Sequence, residues 1–578
     1  MPGFFFASYK DDNIIKNISP IHEKNRNFNY SFGKDYCAYR NTLNKFVNDK
    51  VFIDNEQYLI ICDGVILNLT NLLNKYGVEN LYELLMFLYN SFGDSFFKVL
   101  KGSFSGILYD KNNDKIISFT NHIGDKSLFY YYQNGLFIVS NDLDRIIDFL
   151  KTNKINVNLD LVGSYYLLTY GFMIEDQTLI DSIKKLSPGK YILILNNIFY
   201  IKEYHRFNNY KYPEINRLSE QDLIEEIDNR FRAAVKLQFN KDLEYRYSHI
   251  ANLSGGLDSR MINWVARELN YKDILNTTYS QSNYKDEIIA KQISSDLGNE
   301  FIFKSLDDAS FIYDLENVVE MNWGLAFYTG ITGGKKLYEI LDFSRFGLDH
   351  TGQLGDVVIG TFSTSRTHNQ PKKPTGFYSS KLINRLEHNY INKYETEELF
   401  KLYSRGFNGA LSSHMIRQHF SEVASPFLDI DLLEFCLSID PGRRINHNLY
   451  KKWIITKYPK ASQYEWEKIN GKITENESKI YIKNIFRHYM RKYLNRFLYS
   501  LSITKTPYDS KNMNPFDYWY YTNINMKTFM DSYFKSNINL LNINTELRND
   551  ATYLYNYGNT VEKTQVLTLL AFVKKYIA

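Results

Sequence analysis

The sequence has few cysteines, no long apolar run and almost no net charge, and each shortage closes off a class of protein. Only Cys37, Cys62 and Cys436 occur in 578 residues. They are far apart and form no CxxC, whereas disulfide frameworks and zinc sites need paired or closely spaced ligands. The expected compartment is therefore a reducing, cytoplasmic one. No stretch approaches the ~18 uninterrupted apolar residues of a membrane helix. The opening MPGFFFASY is too short an apolar run, and is followed too soon by charge, to serve as a secretory signal. Phe4, Phe5 and Phe6 are expected to form a buried strand. Lys and Arg number 69 against 65 Asp and Glu, both signs mixed throughout, for a net charge of +4. That balance gives no footprint for a nucleic acid, and no basic RNA-binding appendage is visible. There is also no internal repeat, no GxGxxG and no GxxxxGK[ST] phosphate loop.

What remains is a globular chain too long for one core, so two or three domains are expected. Residues 1–205 read as short apolar runs (QYLIICDGVILNL, SFSGILYD, DKIISFTN, PGKYILILNNIFYIKEY) punctuated by Gly and Asn-Gly or Pro-Gly turns, the pattern of a sheet-rich domain. A helical bridge follows in SEQDLIEEIDNRFRAAVKLQF, where Leu223, Ile224, Ile227, Phe231 and Val235 recur at helical spacing. From about 245 the pattern becomes strand, helix, strand, helix, strand: YSHIANL, DSRMINWVAREL, ILNTTYS, KDEIIAKQISSDLG, FIFKSL. Such alternation predicts a parallel, doubly wound sheet with its ligand at the carboxyl ends of the strands. Beyond about 385 the chain reads as mostly helical. The expected boundaries are 1–205, 206–478 and a helical extension over 479–578.

The chemistry concentrates in NLSGGLDSR, residues 252–260, at the junction of the first strand and first helix of the alternating region. Gly255 and Gly256 let the backbone approach an anion, and the helix amino terminus aims free N–H groups at it. Ser254 and Ser259 add hydroxyls, and Asp258 a carboxylate suited to holding Mg²⁺ against phosphate. From spacing alone, an ordinary Gly-rich turn is an equal alternative.

SGGLDS also resembles the pyrophosphate-binding loop of the N-type ATP pyrophosphatases, the adenine nucleotide α-hydrolase-like enzymes. Three further segments, in order, narrow this to a resemblance to the asparagine synthetase family. In TTYSQSNYKDEIIAKQISSDLG, Asp286-Glu287 opens a helix that ends at Leu297-Gly298. HTGQLGDVVIGTF is similar to the family's SGxGxDxxFGG loop, with Gly352, Asp356 and Gly360 matching, Leu354 in place of a glycine and Val357 in place of an acid. EVASPFLDIDLLEFCLSI is similar to ExRxPFLD, with Ala424 where the arginine is usual. LYKKWI and EKINGK, carrying Lys451 and Lys468, resemble the lysine-bearing segments that follow.

The resemblance implies an ATP-dependent ligase. A substrate carboxylate becomes an acyl-adenylate with release of pyrophosphate, and an amine or ammonia then forms the amide. Leu253, Ser254, Gly255, Gly256, Ser259, Thr278, Ser280 and Gly352 would hold the nucleotide, and Asp258 and Asp356 would share Mg²⁺. Lys451 would cover developing negative charge. Gln353 stands where the family places a glutamate or a tyrosine; it can hydrogen-bond but cannot take a proton. Water or Glu422 would then act as base, Glu422 being equally readable as a structural ion pair. The acid is open: aspartate, a glycan uronic acid, or a peptide or other carboxylate closing a lactam or macrocycle. A non-catalytic binding or scaffolding descendant is the remaining alternative, and a homodimer fits the resemblance.

Residues 1–205 resemble the family's glutaminase domain, an Ntn-hydrolase-like αββα sandwich whose cysteine nucleophile follows the initiator Met. This chain has MPG where that family has MCG, and proline carries no nucleophile. Asp63 replaces the oxyanion-hole asparagine in CDGVILNL, and Lys101 replaces the aspartate that would read the glutamine amine. The resemblance therefore implies a retained fold without glutamine hydrolysis, with nitrogen arriving as ammonia or as a substrate amine. In the extension, residues 479–501 place Ile482, Ile485, Phe486, Tyr489, Tyr493, Phe497 and Leu498 near helical spacing among basic residues. Core packing and contact with a membrane surface or partner both fit that pattern.

Overall fold

The computed structural model describes residues 1–9, 14, 26–332, 334–504 and 506–578. Its first part is a sandwich of two six-stranded antiparallel sheets. One runs in the order Lys184–Lys185, Phe129–Gln133, Leu136–Ser140, Gly3–Ser8, Tyr36–Leu43, Arg26–Phe32. The other runs Ile198–Glu203, Lys190–Leu195, Lys115–Thr120, Gly102–Asp110, Tyr58–Ile66, Val51–Asp54. The phenylalanine triplet shows how the layers form. Alternation along a strand sends Phe4 and Phe6 into the space between the sheets, where they meet Ile61, Ile107 and Ile192. Phe5 points the other way, onto Phe149 of the helix Leu143–Thr152. Helices Leu69–Tyr76 and Leu81–Phe92 cover the second sheet with Leu84, Leu85 and Leu88. The result is an αββα sandwich, as the family resemblance implies.

A 25-residue helix, Glu220–Glu244, leads into the second part. It starts at a reciprocal Ser219–Asp222 capping box and buries Phe231, Val235 and Phe239. The five strands that follow are all parallel, in the order Glu300–Ser305, Ile274–Ser280, Ser248–Asn252, Phe346–His350, Val423–Ala424. Chain direction across the sheet reverses between Ser248–Asn252 and Phe346–His350. The crevice beyond their carboxyl ends is thus the topological switch point where doubly wound sheets bind ligands.

The carboxyl-terminal hundred residues divide in two. The helix Glu477–Ser500 lies on the surface. The helices Phe516–Thr522, Ile524–Asn537, Thr545–Tyr557 and Thr560–Tyr576 join a shared core instead, where Leu567, Leu570 and Phe572 pack with residues of the amino-terminal sandwich such as Leu167 and Leu179. The aromatic segment around Trp519 and Tyr520 is part of that core. No described helix is long and apolar enough to cross a membrane. Cys37, Cys62 and Cys436 are separate, buried thiols; burial pushes that of Cys436 up to about 12.

Candidate functional site

Two strand-end loops meet at the switch point. The first, after Ser248–Asn252, turns through SGGLDS into the helix Leu257–Glu268, whose N-cap residue Gly256 offers no side-chain cap. The first-turn N–H groups are therefore available to an anion. The loop is held by its own hydroxyls: the Ser254 amide donates to Ser259 Oγ at 3.0 Å, and the Gly256 amide to Ser254 Oγ at 3.2 Å. The second loop, after Phe346–His350, carries Gly352, Gln353 and Asp356. A Cβ added at Gly352 would lie 2.7 Å from the Ser259 nitrogen and 2.9 Å from Asp258 Cβ, so the loops interlock only because that position is glycine.

Together they line a cavity of about 750 Å³. Leu253, Ser254, Gly256, Asp258, Ser259, Thr278, Gly352, Gln353 and Asp356 all reach its wall. The Asp356 amide donates to Asp258 Oδ2 at 3.0 Å, and the Tyr450 hydroxyl to Asp258 Oδ1 at 2.8 Å. Burial and the neighbouring Asp356 push the Asp258 carboxyl well above the ordinary carboxylate value. Burial acts on Asp356 in the same direction, but His447 and Lys468 outweigh it and hold its carboxyl low. Lys468 Nζ lies 3.6 Å and His447 Nε2 3.9 Å from Asp356 Oδ2. Two crowded carboxylates, one of them resisting ionisation for want of compensating charge, are hard-oxygen donors that fit Mg²⁺.

Four expectations change. Gly255 does not line the cavity; its amide is turned to Asp286 Oδ1, 2.8 Å away. Ser280 is fully buried and donates to the Gln281 carbonyl. Lys451 lies outside this cavity, on the wall of a neighbouring groove, because it falls one helical step beyond Tyr450, the residue that faces Asp258; the cation at the carboxylates is Lys468. Glu422 cannot serve as base. It is 1% exposed, bonded to Lys50 at 2.9 Å and Lys126 at 3.2 Å, and this ion cluster continues to Asp63 of the amino-terminal sandwich.

Several residues escaped the sequence reading. Buried Arg260 donates to the carbonyls of Gly255 and Ala461, each at 3.2 Å, and so ties the 461–468 segment beneath the SGGLDS loop. Asp286, whose carboxyl burial raises to about 6, and Glu467 also face the cavity. A second cavity of about 370 Å³ shares Tyr279, Gln353, Arg405 and Arg417 with the first. Arg417 is held on Asp349 at 2.7 Å, so a guanidinium faces both spaces although Ala424 has displaced the motif's arginine. The Asp286-Glu287 pair and EKINGK were visible signals for part of this set; Arg260 and Arg417 had none.

The space beside Lys101 is a cavity of about 50 Å³ between the sandwich and the second part, walled there by Gln238, Leu348 and Val423. Lys101 itself is paired with Asp431 at 2.5 Å and Asp429 at 3.4 Å, and Asp63 with Lys126 at 3.3 Å.

Comparison with known proteins agrees with this layout. Residues 48–205 match the glutamine amidotransferase domain family. A putative asparagine synthetase [glutamine-hydrolyzing] 2 of Methanocaldococcus jannaschii is 28% identical over 230 residues, 39% of this chain and 43% of that protein. Asparagine synthetase [glutamine-hydrolyzing] 1 of Bacillus subtilis is 22% identical over 275 residues, 46% of this chain and 42% of that protein. The chain spans less than half the length of these relatives. A solved glutamine phosphoribosylpyrophosphate amidotransferase of B. subtilis covers 48% of this chain and 77% of its own, at 10% identity and a TM-score of 0.23, a likeness too loose to carry weight.

Proposed function

We propose that this asparagine synthetase-like chain is an ATP-dependent ligase that activates a carboxylate as an acyl-adenylate and passes it to ammonia or an amine. The observation that carries the reading is the meeting of an uncapped helix amino terminus with Asp258 and Asp356 in one cavity. In the ligase reading, ATP occupies the larger cavity, its phosphates on the Ser254–Ser259 loop and its nucleoside toward Leu253 and Thr278. Asp258 and Asp356 hold Mg²⁺, which when bound neutralises phosphate charge. Lys468 adds a cation on the same side. The acid lies in the smaller cavity with its carboxylate near Arg405 and Arg417, in line with the α-phosphorus. Catalysis here is alignment and charge stabilisation. A space of about 370 Å³ falls in the range that holds ligands of drug size, which favours an acid larger than aspartate.

The amine must lose a proton as it attacks. Gln353 orients it without accepting that proton, and Asp286, poised near neutrality, lines the same cavity and would receive it through water.

In this reading the amino-terminal sandwich serves as support. Pro2 offers no thiol, Asp63 is engaged by lysines, and about 50 Å³ beside Lys101 holds a water but no glutamine. The test is to incubate the protein with ATP, Mg²⁺ and a panel of soluble and amphiphilic carboxylates, following pyrophosphate and product mass with ammonium or glutamine as nitrogen source. Pyrophosphate release, and amide product with ammonium and not with glutamine, are expected. Absence of AMP and pyrophosphate across the panel would sink the ligase reading, and turnover on glutamine would restore a working glutaminase.

A further inference from the structure

The helix Glu477–Ser500 carries six Lys or Arg against a single Glu. Its first turns are fixed to the protein through Ile480, which packs against Gly471, and Asn484, which donates to the Ile469 carbonyl at 2.5 Å. At 100° per residue, the side of the helix opposite these anchors collects Ile482, Phe486, Tyr489, Tyr493 and Phe497 within an arc of about 80°. These five side chains are 66%, 65%, 53%, 67% and 59% exposed. Lys483 and Arg487 lie to one side of the apolar arc and Lys492 and Arg496 to the other, while Arg491 falls on the anchored side, 3.9 Å from Asp509. The expectation of core packing thus fails for this helix: the apolar face looks outward.

Such a face could meet a second copy or a lipid surface, and its charge decides between them. Two copies pressed together would bring two sets of basic borders against each other, with one glutamate apiece to offset them. An anionic bilayer instead matches both features, taking up the aromatic and aliphatic arc between headgroups and pairing the flanking cations with phosphates. Tyrosine, amphipathic by nature, suits that boundary. The same helix walls a groove of about 1250 Å³, lined by Ile480, Tyr481, Asn484 and Ile485 and also by Ile482 and Tyr489 of the apolar arc, and this groove shares Thr361, His447, Trp466 and Lys468 with the cavity at Asp258 and Asp356.

We propose that Glu477–Ser500 is an interfacial helix that docks the protein on an anionic lipid surface, placing the groove at that surface. The bearing of the groove on the substrate, an amphiphilic acid drawn from the membrane, rests on the ligase reading; the docking itself does not.

The test is flotation of the full chain with vesicles of phosphatidylcholine mixed with phosphatidylglycerol, without ATP. Binding is expected to be at least about tenfold weaker on pure phosphatidylcholine and to fall with rising salt. A triple variant, Phe486→Ser, Tyr493→Ser, Phe497→Ser, is expected to lose at least about tenfold in vesicle affinity with its melting temperature and molar mass in solution unchanged. No flotation with anionic vesicles overturns the proposal. So does a triple variant that falls from dimer to monomer while floating as before, since the face would then join two copies. Pyrophosphate release from soluble carboxylates, measured separately, reports on the ligase reading and leaves the flotation result standing.

Discussion

Asp258 is the residue at which function and stability pull apart. Its folded carboxyl is raised well above 3.8 by burial and by Asp356. A carboxyl raised in this way prefers the protonated form. Its contribution to stability is full below the unfolded pKa and is lost as pH rises through the folded one. Asn cannot ionise. The melting temperature of Asp258→Asn, referenced to its difference from the unsubstituted protein below pH 4, should therefore move upward relative to that protein as pH rises toward neutrality. The same variant should lose at least about 100-fold in pyrophosphate release. A gap that stays constant with pH would show that the carboxyl ionises in the fold as freely as in the unfolded chain. Leu354 makes a related point. The motif it resembles has glycine there, and the backbone still adopts φ 68°, a left-handed conformation disfavoured for a branched side chain. Leucine holds this conformation with its side chain 7% exposed and packed in the core beneath the site.

At the scale of elements, the site is a pair of loops fitted tooth to gap. Gly352→Ala would force its Cβ against the Ser259 nitrogen and push the two carboxylate-bearing loops apart. A displacement of about 1 Å is enough for a roughly 100-fold loss of turnover, expected here in pyrophosphate release while circular dichroism and the melting temperature stay close to those of the unsubstituted protein. These loops were legible in the sequence because glycine spacing and strand-to-helix alternation are local. The elements around them were legible only in part. A helix turns 100° per residue, so choosing between Tyr450 and Lys451 required knowing how Asn448–Lys457 is rotated, which its sequence does not say. Arg260 looks like any surface arginine on a helix until the 461–465 segment folds over it.

At the scale of the molecule, the two halves are joined by charge as well as by packing. Glu422 and Asp63 share Lys126 and Lys50 at full burial, across 296 and 372 positions of sequence from Glu422. Neither segment alone names such a partner, so the sequence left Glu422 balanced between base and structural ion pair. Breaking a buried ion pair on one side typically costs about 3–5 kcal/mol. Glu422→Gln should lose about that much in guanidinium unfolding, while pyrophosphate release per folded molecule persists at neutral pH. A selective loss of catalysis with unchanged stability would return Glu422 to the active site. A sheet-rich amino-terminal part and the parallel sheet were visible beforehand in turn spacing and periodicity, and the sandwich arrangement only through the family resemblance. The merging of the last four helices with the sandwich's core was not, since apolar helix faces do not name their partners.

The same ion cluster has a consequence in time. Lys50, Asp63 and Lys126 leave the ribosome long before Glu422, and at ~5–20 residues per second the interval between Lys126 and Glu422 lasts roughly 15–60 s. Through that interval the nascent sandwich holds two lysines facing one aspartate at a surface meant to be buried, and it cannot close there. The amino-terminal half is thus an electrostatic half-product of translation, completed only when a single late-synthesised carboxylate arrives.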